Sequence, residues 1–310
     1  MTQICVTGAA GFIGRWVVAE LLDRQYEVVG IDDLSRGSHR NIRAFEEEER
    51  FTFYEGTIQS DEDLEAVITK ETSACIHLAA KIDVHESLQN PDAHFWTNVV
   101  GTYNVLEACR ATDTRLGLVG TCMVYDVAVP DARIDEDHPV KPASPYAGTK
   151  LMAENLAEAY YHSYGLPVTI LRPFNTYGPY QVDGVVPIFV RRDRRGEPLK
   201  IYGDGTQTRD LLYVSDCARF VVEATLSEEP VGEVLNAGTG VDVTINELAE
   251  LIAGADTPIE HVEHHHPQSE IGKLRCDPTK ARKLLGWEPT VSLEDGIEEL
   301  REWLANDRAI

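Results

Sequence analysis

One segment decides the fold of this 310-residue chain: Ile4-Cys5-Val6-Thr7-Gly8-Ala9-Ala10-Gly11-Phe12-Ile13-Gly14. Its first three residues form a short apolar run that predicts a strand, and three glycines follow at intervals of three. Apolar residues then recur with helical spacing at Val17, Val18, Leu21 and Leu22. This order of strand, glycine-rich turn and helix predicts a backbone turn that approaches a pyrophosphate closely, with the negative charge at the helix N-terminus.

A second apolar run, Val28-Val29-Gly30-Ile31, follows this helix and ends at Asp32 and Asp33. Asp32 lies eighteen residues after Gly14. A carboxylate at that place in a βαβ unit binds the adenosine ribose hydroxyls of a dinucleotide and repels a 2′-phosphate. We therefore predict NAD rather than NADP as the cofactor, and Arg36 is the one feature that favours a 2′-phosphate.

Strand and helix patterns continue to alternate along the first half of the chain. They predict strands at 51–55, 74–80, 116–120 and 167–172, and helices at 61–69, 91–111 and 144–164. Beyond residue 175 the regular pattern breaks, because proline and glycine become frequent, and helical spacing returns only at 216–226, 245–252, 280–285 and 293–304.

The alternating units predict the fold class and the domain organisation. With right-handed crossovers they form an α/β fold, a doubly wound parallel (Rossmann) sheet with a smaller C-terminal α/β substrate lobe. We expect an NAD-binding Rossmann domain over residues 1–174 and a substrate-binding lobe over residues 175–310. Part of 209–235 is expected to return to the Rossmann domain, and no linker is long enough to make the lobe independent.

Three short segments follow predicted strands: Ala79-Ala80-Lys81, Thr121-Cys122 and Pro173-Phe174-Asn175. Ligands bind parallel sheets of this kind beyond the carboxyl ends of the strands. We therefore expect the three segments to face one crevice.

Tyr146 and Lys150 lie four residues apart at the start of the helix predicted at 144–164. Residues i and i+4 share one face of a helix, so the phenol and the ammonium can point into one pocket. A tyrosine with a pKa near 10 is a poor base at pH 7. We expect the charge of Lys150 to lower the pKa of Tyr146 into the range of a working general base.

The charge balance is strongly acidic, with 52 Asp and Glu against 28 Lys and Arg and a formal net charge of −24. A nucleic-acid partner is disfavoured, because binding to phosphate backbones requires the opposite sign. Self-repulsion of this size favours an environment in which salt screens it, so we predict adaptation to a salt-rich cytoplasm, a halophilic protein. No apolar run is long enough to span a bilayer and no signal-peptide pattern is present, so we expect a cytoplasmic protein without a membrane partner.

The cysteine and histidine patterns predict no metal site. Six cysteines are scattered without a C-x-x-C pair, which is typical of reduced, mostly buried thiols. His261, His264, His265 and His266 cluster in a stretch rich in proline and glutamate, which favours an exposed loop over a set of converging metal ligands.

The motifs of the whole chain together resemble the extended short-chain dehydrogenase/reductase superfamily, and within it the NAD-dependent nucleotide-sugar epimerase/dehydratase family. Besides the segments quoted above, the resemblance rests on His77-Leu78-Ala79-Ala80, Asn98-Val99-Val100-Gly101-Thr102, Arg172-Pro173-Phe174-Asn175-Thr176-Tyr177-Gly178-Pro179 and Tyr202-Gly203-Asp204-Gly205-Thr206-Gln207-Thr208-Arg209-Asp210. It implies a nucleotide-sugar 4-epimerase of the UDP-glucose/UDP-galactose type, with a UDP-hexose as substrate.

The resemblance also implies a role for each matching residue. Tyr146 is the base that accepts the proton of the sugar hydroxyl while C4 gives a hydride to the nicotinamide. Lys150 lowers the pKa of Tyr146 and binds the nicotinamide ribose, and Thr121 holds the reacting oxygen. Asn175, Val185, Tyr202 and Arg209 contact the substrate. The cofactor positions are Gly8, Gly11, Phe12, Ile13, Gly14, Asp32, Asp33, Ser35, Gly37, Ile58, Leu78, Ala79, Ala80, Lys81, Asn98, Tyr146, Lys150 and Pro173.

Three features of the chain bear on the reaction and the substrate that the resemblance implies. Dehydratases of this branch carry Asp-Glu after the catalytic Thr, whereas this chain has Cys122-Met123, which disfavours loss of water. Pro267 stands where 4-epimerases usually have an arginine that binds the diphosphate, which puts UDP itself in doubt. Leu274 stands at the position that sets the pocket size, and its bulk favours an unmodified hexose.

Two other functions stay open at this point. One is a nucleotide-sugar or keto-sugar reductase/dehydrogenase that releases its reduced cofactor, and the other is a non-catalytic NAD-binding regulator. The retained Tyr146 and Lys150 argue against the regulator. The resemblance further implies a homodimer, in which the helices predicted at 91–111 and 144–164 form a four-helix bundle with their copies.

Overall fold

Thirteen strands and twelve α-helices make up the parts of the chain that the computed structural model describes, which are residues 2–128, 132–264 and 271–306. Up to residue 173 the strands are β1 (Gln3–Thr7), β2 (Glu27–Asp32), β3 (Phe51–Glu55), β4 (Thr72–His77), β5 (Arg115–Val119) and β6 (Val168–Pro173). The helices of this half are α1 (Phe12–Asp23), α2 (His39–Ile42), α3 (Asp61–Val67), α4 (Val84–Gln89), α5 (Pro91–Phe95), α6 (Gly101–Thr112) and α7 (Pro145–Tyr164).

The second half of the chain adds shorter strands and five helices. The strands are β7 (Asn175–Tyr177), β8 (Leu199–Tyr202), β9 (Thr208–Tyr213), β10 (Val234–Ala237), β11 (Asp242–Thr244), β12 (Ile259–Val262) and β13 (Lys273–Leu274). The helices are α8 (Val185–Arg194), α9 (Val214–Leu226), α10 (Ile245–Ile252), α11 (Thr279–Leu285) and α12 (Leu293–Asn306). Among the residues described, no helix combines the length and the apolar character that crossing a membrane requires.

A seven-stranded parallel sheet carries the architecture, with the strand order β10-β6-β5-β4-β1-β2-β3. The order reverses between β1 and β4, which is the switch point where ligands bind in doubly wound sheets. The α/β doubly wound fold predicted from the sequence is therefore confirmed.

Helices cover both faces of this sheet because the strand residues alternate in direction. On β1, Ile4 and Val6 pack into the core under α1 and α9, whereas Cys5 packs into the core under α3, α6 and α7. Strands buried on both faces are continuous apolar runs, which is why β1 and β2 could be recognised in the sequence.

The helix predicted at 91–111 contains a local irregularity. Between α5 and α6, the turn Trp96–Val100 is a π-helix, which widens the helix by one residue. Such bulges often lie at functional sites. Here the π-turn contains the buried Asn98, whose contacts are described below.

The remaining strands and helices build a smaller layer above the sheet. Strand β9 pairs with β7, β11 and β13, and β8 pairs with β12. Helices α8, α10 and α12 surround a separate apolar core. Helix α9 instead packs on the large sheet beside α1, and strand β10 belongs to that sheet, where it pairs with β6. The boundary between the two predicted domains stays a prediction.

Helix α8 lies in the stretch where the sequence showed no regular pattern. Its Pro187 occupies the third helical position, where the missing N–H is not needed by an earlier carbonyl. A helix therefore forms in this proline-containing stretch, because proline is tolerated in a first turn.

Candidate functional site

One cavity of about 1820 Å³ lies at the carboxyl ends of the central strands, between the sheet and the smaller layer. With a single exception, the residues predicted from the sequence to bind cofactor or substrate line it. They are Gly8, Gly11, Phe12, Ile13, Gly14, Asp32, Asp33, Ser35, Gly37, Ile58, Leu78, Ala79, Ala80, Lys81, Thr121, Tyr146, Lys150, Pro173, Asn175, Val185, Tyr202 and Arg209.

Asn98 is the exception, since it lies behind the cavity wall. It is 1% exposed, accepts the backbone N–H of Lys81 at 2.8 Å and donates to the Lys81 carbonyl at 2.9 Å. It also donates to the Thr149 hydroxyl at 3.0 Å. Asn98 therefore connects the segment after β4 to helix α7. In this structure it supports the cavity wall and does not itself line the cavity.

The glycine-rich turn forms a cradle that tolerates no side chains at two positions. Gly8 has a φ of +73°, and a Cβ built on it would lie 2.8 Å from the backbone nitrogen of Ala79. A Cβ on Gly14 would overlap the carbonyl oxygen of Gly8. Helix α1 begins directly after Gly11, which has no side chain to cap the first N–H groups. These free donors and the helix dipole fit a pyrophosphate.

Asp32 ends β2 at the cavity and is held rigidly. Its Oδ1 accepts the backbone N–H of Leu34 at 2.8 Å, and its Oδ2 accepts that of Ala10 at 3.0 Å. Burial raises the pKa of the carboxyl, while these two hydrogen bonds oppose the rise. A Cβ on Gly37 would lie 2.6 Å from Oδ1. The carboxylate thus fits the ribose hydroxyls of NAD and opposes a 2′-phosphate.

Arg36, the residue that favoured NADP in the sequence, is bound to carboxylates. Its Nη2 lies 2.7 Å from Oδ2 of Asp183, and its Nη1 lies 3.5 Å from Oε2 of Glu86. Two carboxylate partners leave the guanidinium less available to a phosphate, which agrees with NAD.

Helix α7 carries the candidate catalytic pair into the same cavity. Ser144 caps the helix by accepting the N–H of Ala147 at 3.2 Å, and Pro145 takes the first helical position. Tyr146 and Lys150 follow one turn apart and are 7% and 4% exposed. Thr121, two residues after β5, lines the same cavity, and its side chain interacts with the hydroxyl of Tyr146. The side chains predicted to be catalytic are therefore brought together.

Burial controls the protonation of this pair. It raises the pKa of Tyr146 to about 12, and the interaction with Thr121 opposes the rise only in part. It lowers the pKa of Lys150 to about 8. Burial thus dominates the pKa of Tyr146 in this structure, and the lowering of that pKa by Lys150 stays a prediction. The ammonium donates to the carbonyl of Val119 at 2.7 Å.

The two residues after Thr121 offer no acid. Cys122 is 2% exposed, and burial raises the pKa of its thiol to about 12. Met123 has no ionisable group, and its backbone N–H donates to the Thr121 hydroxyl at 3.2 Å. A side chain that could donate a proton at neutral pH is therefore missing from both positions.

The substrate half of the cavity is rich in cations that the sequence analysis missed. Arg191, Arg195 and Lys200 line the cavity together with the predicted Arg209. Arg191 and Arg195 lie four residues apart at the C-terminal end of α8, so recognising that helix would have revealed them. In a chain of net charge −24, clustered cations mark the binding place of an anion.

Two further predictions about the substrate half have different outcomes. Leu274 is fully buried in a cluster with Cys122, Ile271 and Cys276 and does not line the cavity, so its predicted role in setting the pocket size is wrong. Pro267, His265 and His266 lie outside the described residues. Of the clustered histidines His261 and His264, which are described, His264 lines the cavity. Among the described residues, no group of three or more His, Cys, Asp or Glu side chains could hold a metal ion.

A strap, residues 178–184, crosses the mouth of the cavity. Its Tyr180 hydroxyl accepts a hydrogen bond from Arg15 at 2.9 Å, and the Arg15 guanidinium lies 4.0 Å from the Tyr180 ring centroid. Trp16 donates to the Pro179 carbonyl at 3.3 Å, and Trp303 packs on Tyr180 at 4.9 Å between centroids. The strap is thereby fastened to α1, the helix that begins at the glycine cradle.

The other end of the strap is fastened as well. Arg191 donates to the carbonyls of Gln181 and Val182, and Asp183 holds Arg36. Since residues 180–184 line the cavity, the strap joins its cofactor and substrate halves.

Known proteins match the whole chain. A family model described as GDP-mannose 4,6 dehydratase matches residues 5–300. The UDP-glucose 4-epimerase of Mycolicibacterium smegmatis is 38% identical, over 97% of this chain and 98% of that protein. The structure of Pal from Bacillus thuringiensis has a TM-score of 0.94 and 48% identity, over 98% of this chain and 99% of that one. The UDP-glucuronic acid 4-epimerase of Bacillus cereus, solved with UDP-glucuronic acid and NAD, has a TM-score of 0.90 and 32% identity, over 98% and 99% of the two chains.

Proposed function

This chain belongs to the GDP-mannose 4,6-dehydratase family of NAD-dependent nucleotide-sugar epimerases and dehydratases, and from that premise we propose that it is a nucleotide-sugar 4-epimerase of the UDP-glucose/UDP-galactose type. One observation carries the proposal. The side chains of Thr121, Tyr146 and Lys150 line one dinucleotide cavity together, and the positions after Thr121 hold no acid.

The site residues define the proton transfers of this reaction. Tyr146 accepts the proton of the sugar C4 hydroxyl, and Thr121 hydrogen-bonds the same oxygen. NAD, when bound, would supply the acceptor of the C4 hydride and, in its reduced form, the donor that returns it to the other face of the keto sugar, and its positive ring charge would favour the phenolate. Lys150 holds the cofactor ribose from the same helix face. After the 4-keto sugar has turned, Tyr146 returns the proton, so the protein ends the cycle with the proton count it began with.

Dehydration is disfavoured by the side chains next to Thr121. Loss of water requires an acid that protonates the leaving hydroxyl and a base that removes a second proton. Cys122, with a thiol pKa of about 12, and Met123 supply neither. Epimerisation, in which the sugar keeps all of its hydroxyl groups, therefore fits these side chains better than loss of water.

The cations of the substrate half support a nucleoside diphosphate sugar. Arg209 donates to the carbonyls of Thr208 and Ile271, at 2.7 and 2.8 Å, so its guanidinium is oriented at the cavity wall. Asn175, Val185 and Tyr202 line the cavity around it. We assign the diphosphate to these cations and the hexose to the space before Tyr146, with the uronic acid forms of the two sugars as the alternative substrates.

Incubation with a panel of nucleotide sugars, with products resolved by NMR, tests the assignment. The expected result is interconversion of UDP-glucose and UDP-galactose at a constant concentration of NAD. Cofactor consumed in step with product would instead establish the reductase/dehydrogenase alternative, and release of water would establish a dehydratase. Absence of turnover together with tight NAD binding would favour the non-catalytic regulator.

We also propose a homodimer built on α5, α6 and α7. Exposed apolar side chains lie on these helices: Phe95, Tyr103, Met152 and Tyr164. Tyr103 is 46% and Met152 is 52% exposed, and exposed apolar side chains on neighbouring helices fit an interface. Light scattering in high salt tests the proposal, and the mass of a single chain would contradict it.

A further inference from the structure

A buried ion pair lies directly beneath the candidate catalytic residues. Glu154 on α7 is 2% exposed, and Arg172 on β6 is 6% exposed. The Nε and Nη2 groups of Arg172 donate to the same carboxylate oxygen of Glu154, Oε2, at 3.0 and 2.7 Å. Burying two charges costs desolvation free energy that a pair of apolar side chains would avoid. The position of this pair next to the site therefore points to a role there.

Helix α7 places Glu154 in line with the catalytic side chains. Tyr146, Lys150 and Glu154 are spaced by four residues, so they follow one another along a single helix face. The second carboxylate oxygen of Glu154, Oε1, faces the end of β5. A Cβ built on Gly120 would overlap Oε1, and this buried oxygen has no hydrogen-bond partner among the described residues.

We propose that Glu154 is a positioning residue of the active site, whose buried carboxylate is the counter-charge of the Lys150 ammonium. Arg172 anchors the carboxylate through Oε2. The proposal rests on the proposed function only in assigning the chemistry to Tyr146, Lys150 and Thr121. The contacts themselves are independent of the sugar.

The other groups that face Lys150 carry no negative charge that could take the place of Glu154. His77 on β4 is neutral at physiological pH, because burial, together with the charge of Lys150, lowers its pKa to about 3. Tyr146 is neutral because burial raises its pKa to about 12. Arg172 on β6 is cationic and bound to Glu154. Burial raises the pKa of Glu154, and the charges of Arg172 and Lys150 oppose that rise. Glu154 in turn opposes the fall in the pKa of Lys150.

The pKa of Lys150 can be measured directly by NMR on protein labelled with [13C]lysine, with Lys150→Met to assign the signal. Glu154→Gln should lower this pKa, which is about 8 in the wild type, by about one unit or more, since it removes an adjacent negative charge. Glu158→Gln is the matched control, because Glu158 lies one turn further along α7 with an exposed side chain. The control should leave the pKa of Lys150 unchanged.

A second variant covers the risk that Glu154→Gln fails to fold with Arg172 left unpaired. Glu154→Gln combined with Arg172→Met removes both charges and should lower the pKa of Lys150 in the same direction. Where a substrate has been identified, the alkaline limit of kcat should move down by the same amount while KM changes little. An unchanged pKa of Lys150 in the folded double variant would overturn the proposal, whether or not any sugar is epimerised.

Discussion

At the scale of single residues, the site depends on two side chains whose protonation is controlled by burial. Tyr146 has its pKa raised to about 12, and Lys150 has its pKa lowered to about 8. The loss of water around both groups favours their neutral forms. A charge that enters the cavity can therefore change the protonation of both side chains.

Tyr146→Phe should reduce turnover by about a thousandfold or more, because it removes the group that transfers the proton. NAD binding should stay close to that of the wild type. Both can be measured on one preparation, by product NMR and by the cofactor retained after gel filtration. The matched control is Tyr160→Phe, which removes a hydroxyl of the same helix that donates to Glu107 at 2.6 Å outside the cavity. Equal turnover in Tyr146→Phe and wild type would contradict the mechanism.

Lys150 should also appear in the pH dependence of stability. It titrates near pH 8 in the folded protein and near 10.5 when unfolded, so between these values the unfolded chain binds more protons. The free energy of unfolding should therefore rise with pH in this window, by about 3 kcal/mol relative to Lys150→Met. Urea unfolding of both proteins from pH 7 to 10.5 checks the sign, and a difference that is constant with pH would argue against a buried, charged lysine.

At the scale of secondary structure elements, the turn before α1 and the strap of residues 178–184 form the walls of the cofactor half. The turn is rigid because backbone contacts fill the space of the missing side chains. The strap is fastened at both ends by side chains of α1 and α8. The two elements predict different consequences, one for the affinity of NAD and one for the rate of its release.

Gly14→Ala should weaken NAD binding by about a hundredfold or more, because its Cβ would overlap the carbonyl oxygen of Gly8 and push the turn away from the pyrophosphate. Isothermal titration calorimetry measures the change. Gly148→Ala is the control within a helix, because a Cβ there meets no atom within 4 Å. It should keep the NAD affinity and gain up to about 1 kcal/mol of stability.

Tyr180→Ala should accelerate the release of NAD by about tenfold, since it removes the hydrogen bond and the cation–π contact with Arg15. Stopped-flow fluorescence during displacement by an excess of a competing nucleotide gives the rate. Val182→Ala, at a strap position that is 73% exposed, should leave the rate unchanged. If both variants release NAD as the wild type does, the strap does not retain the cofactor.

At the scale of the whole molecule, the net charge of −24 coexists with a cavity lined by arginines and lysines. The acidic surface repels itself, and salt screens this repulsion over a Debye length of about 3 Å at 1 M. The free energy of unfolding should therefore increase from low to molar potassium chloride. Denaturant unfolding across that range tests the prediction, and equal stability at both ends would count against adaptation to salt.

Short-range patterns in the sequence determined the fold class and most of the site. The glycine turn, the acid at Asp32 and the spacing of Tyr146 and Lys150 each depend on residues close together in the chain. Their geometry is local, since a turn and a helical face need no distant partner. The alternation of such local patterns predicted the Rossmann sheet. Because ligands bind beyond the carboxyl ends of its strands, the sheet in turn predicted that these residues share one cavity.

Only the tertiary structure decided what depends on contacts between distant segments. It placed Asn98 behind the wall, buried Leu274 away from the cavity and added the cations of α8. It also set the pKa of Tyr146 and Lys150, because desolvation is produced by every element that packs around a group and not by its sequence neighbours. One helix turn predicts that Tyr146 and Lys150 lie side by side, whereas the whole fold sets their pKa values.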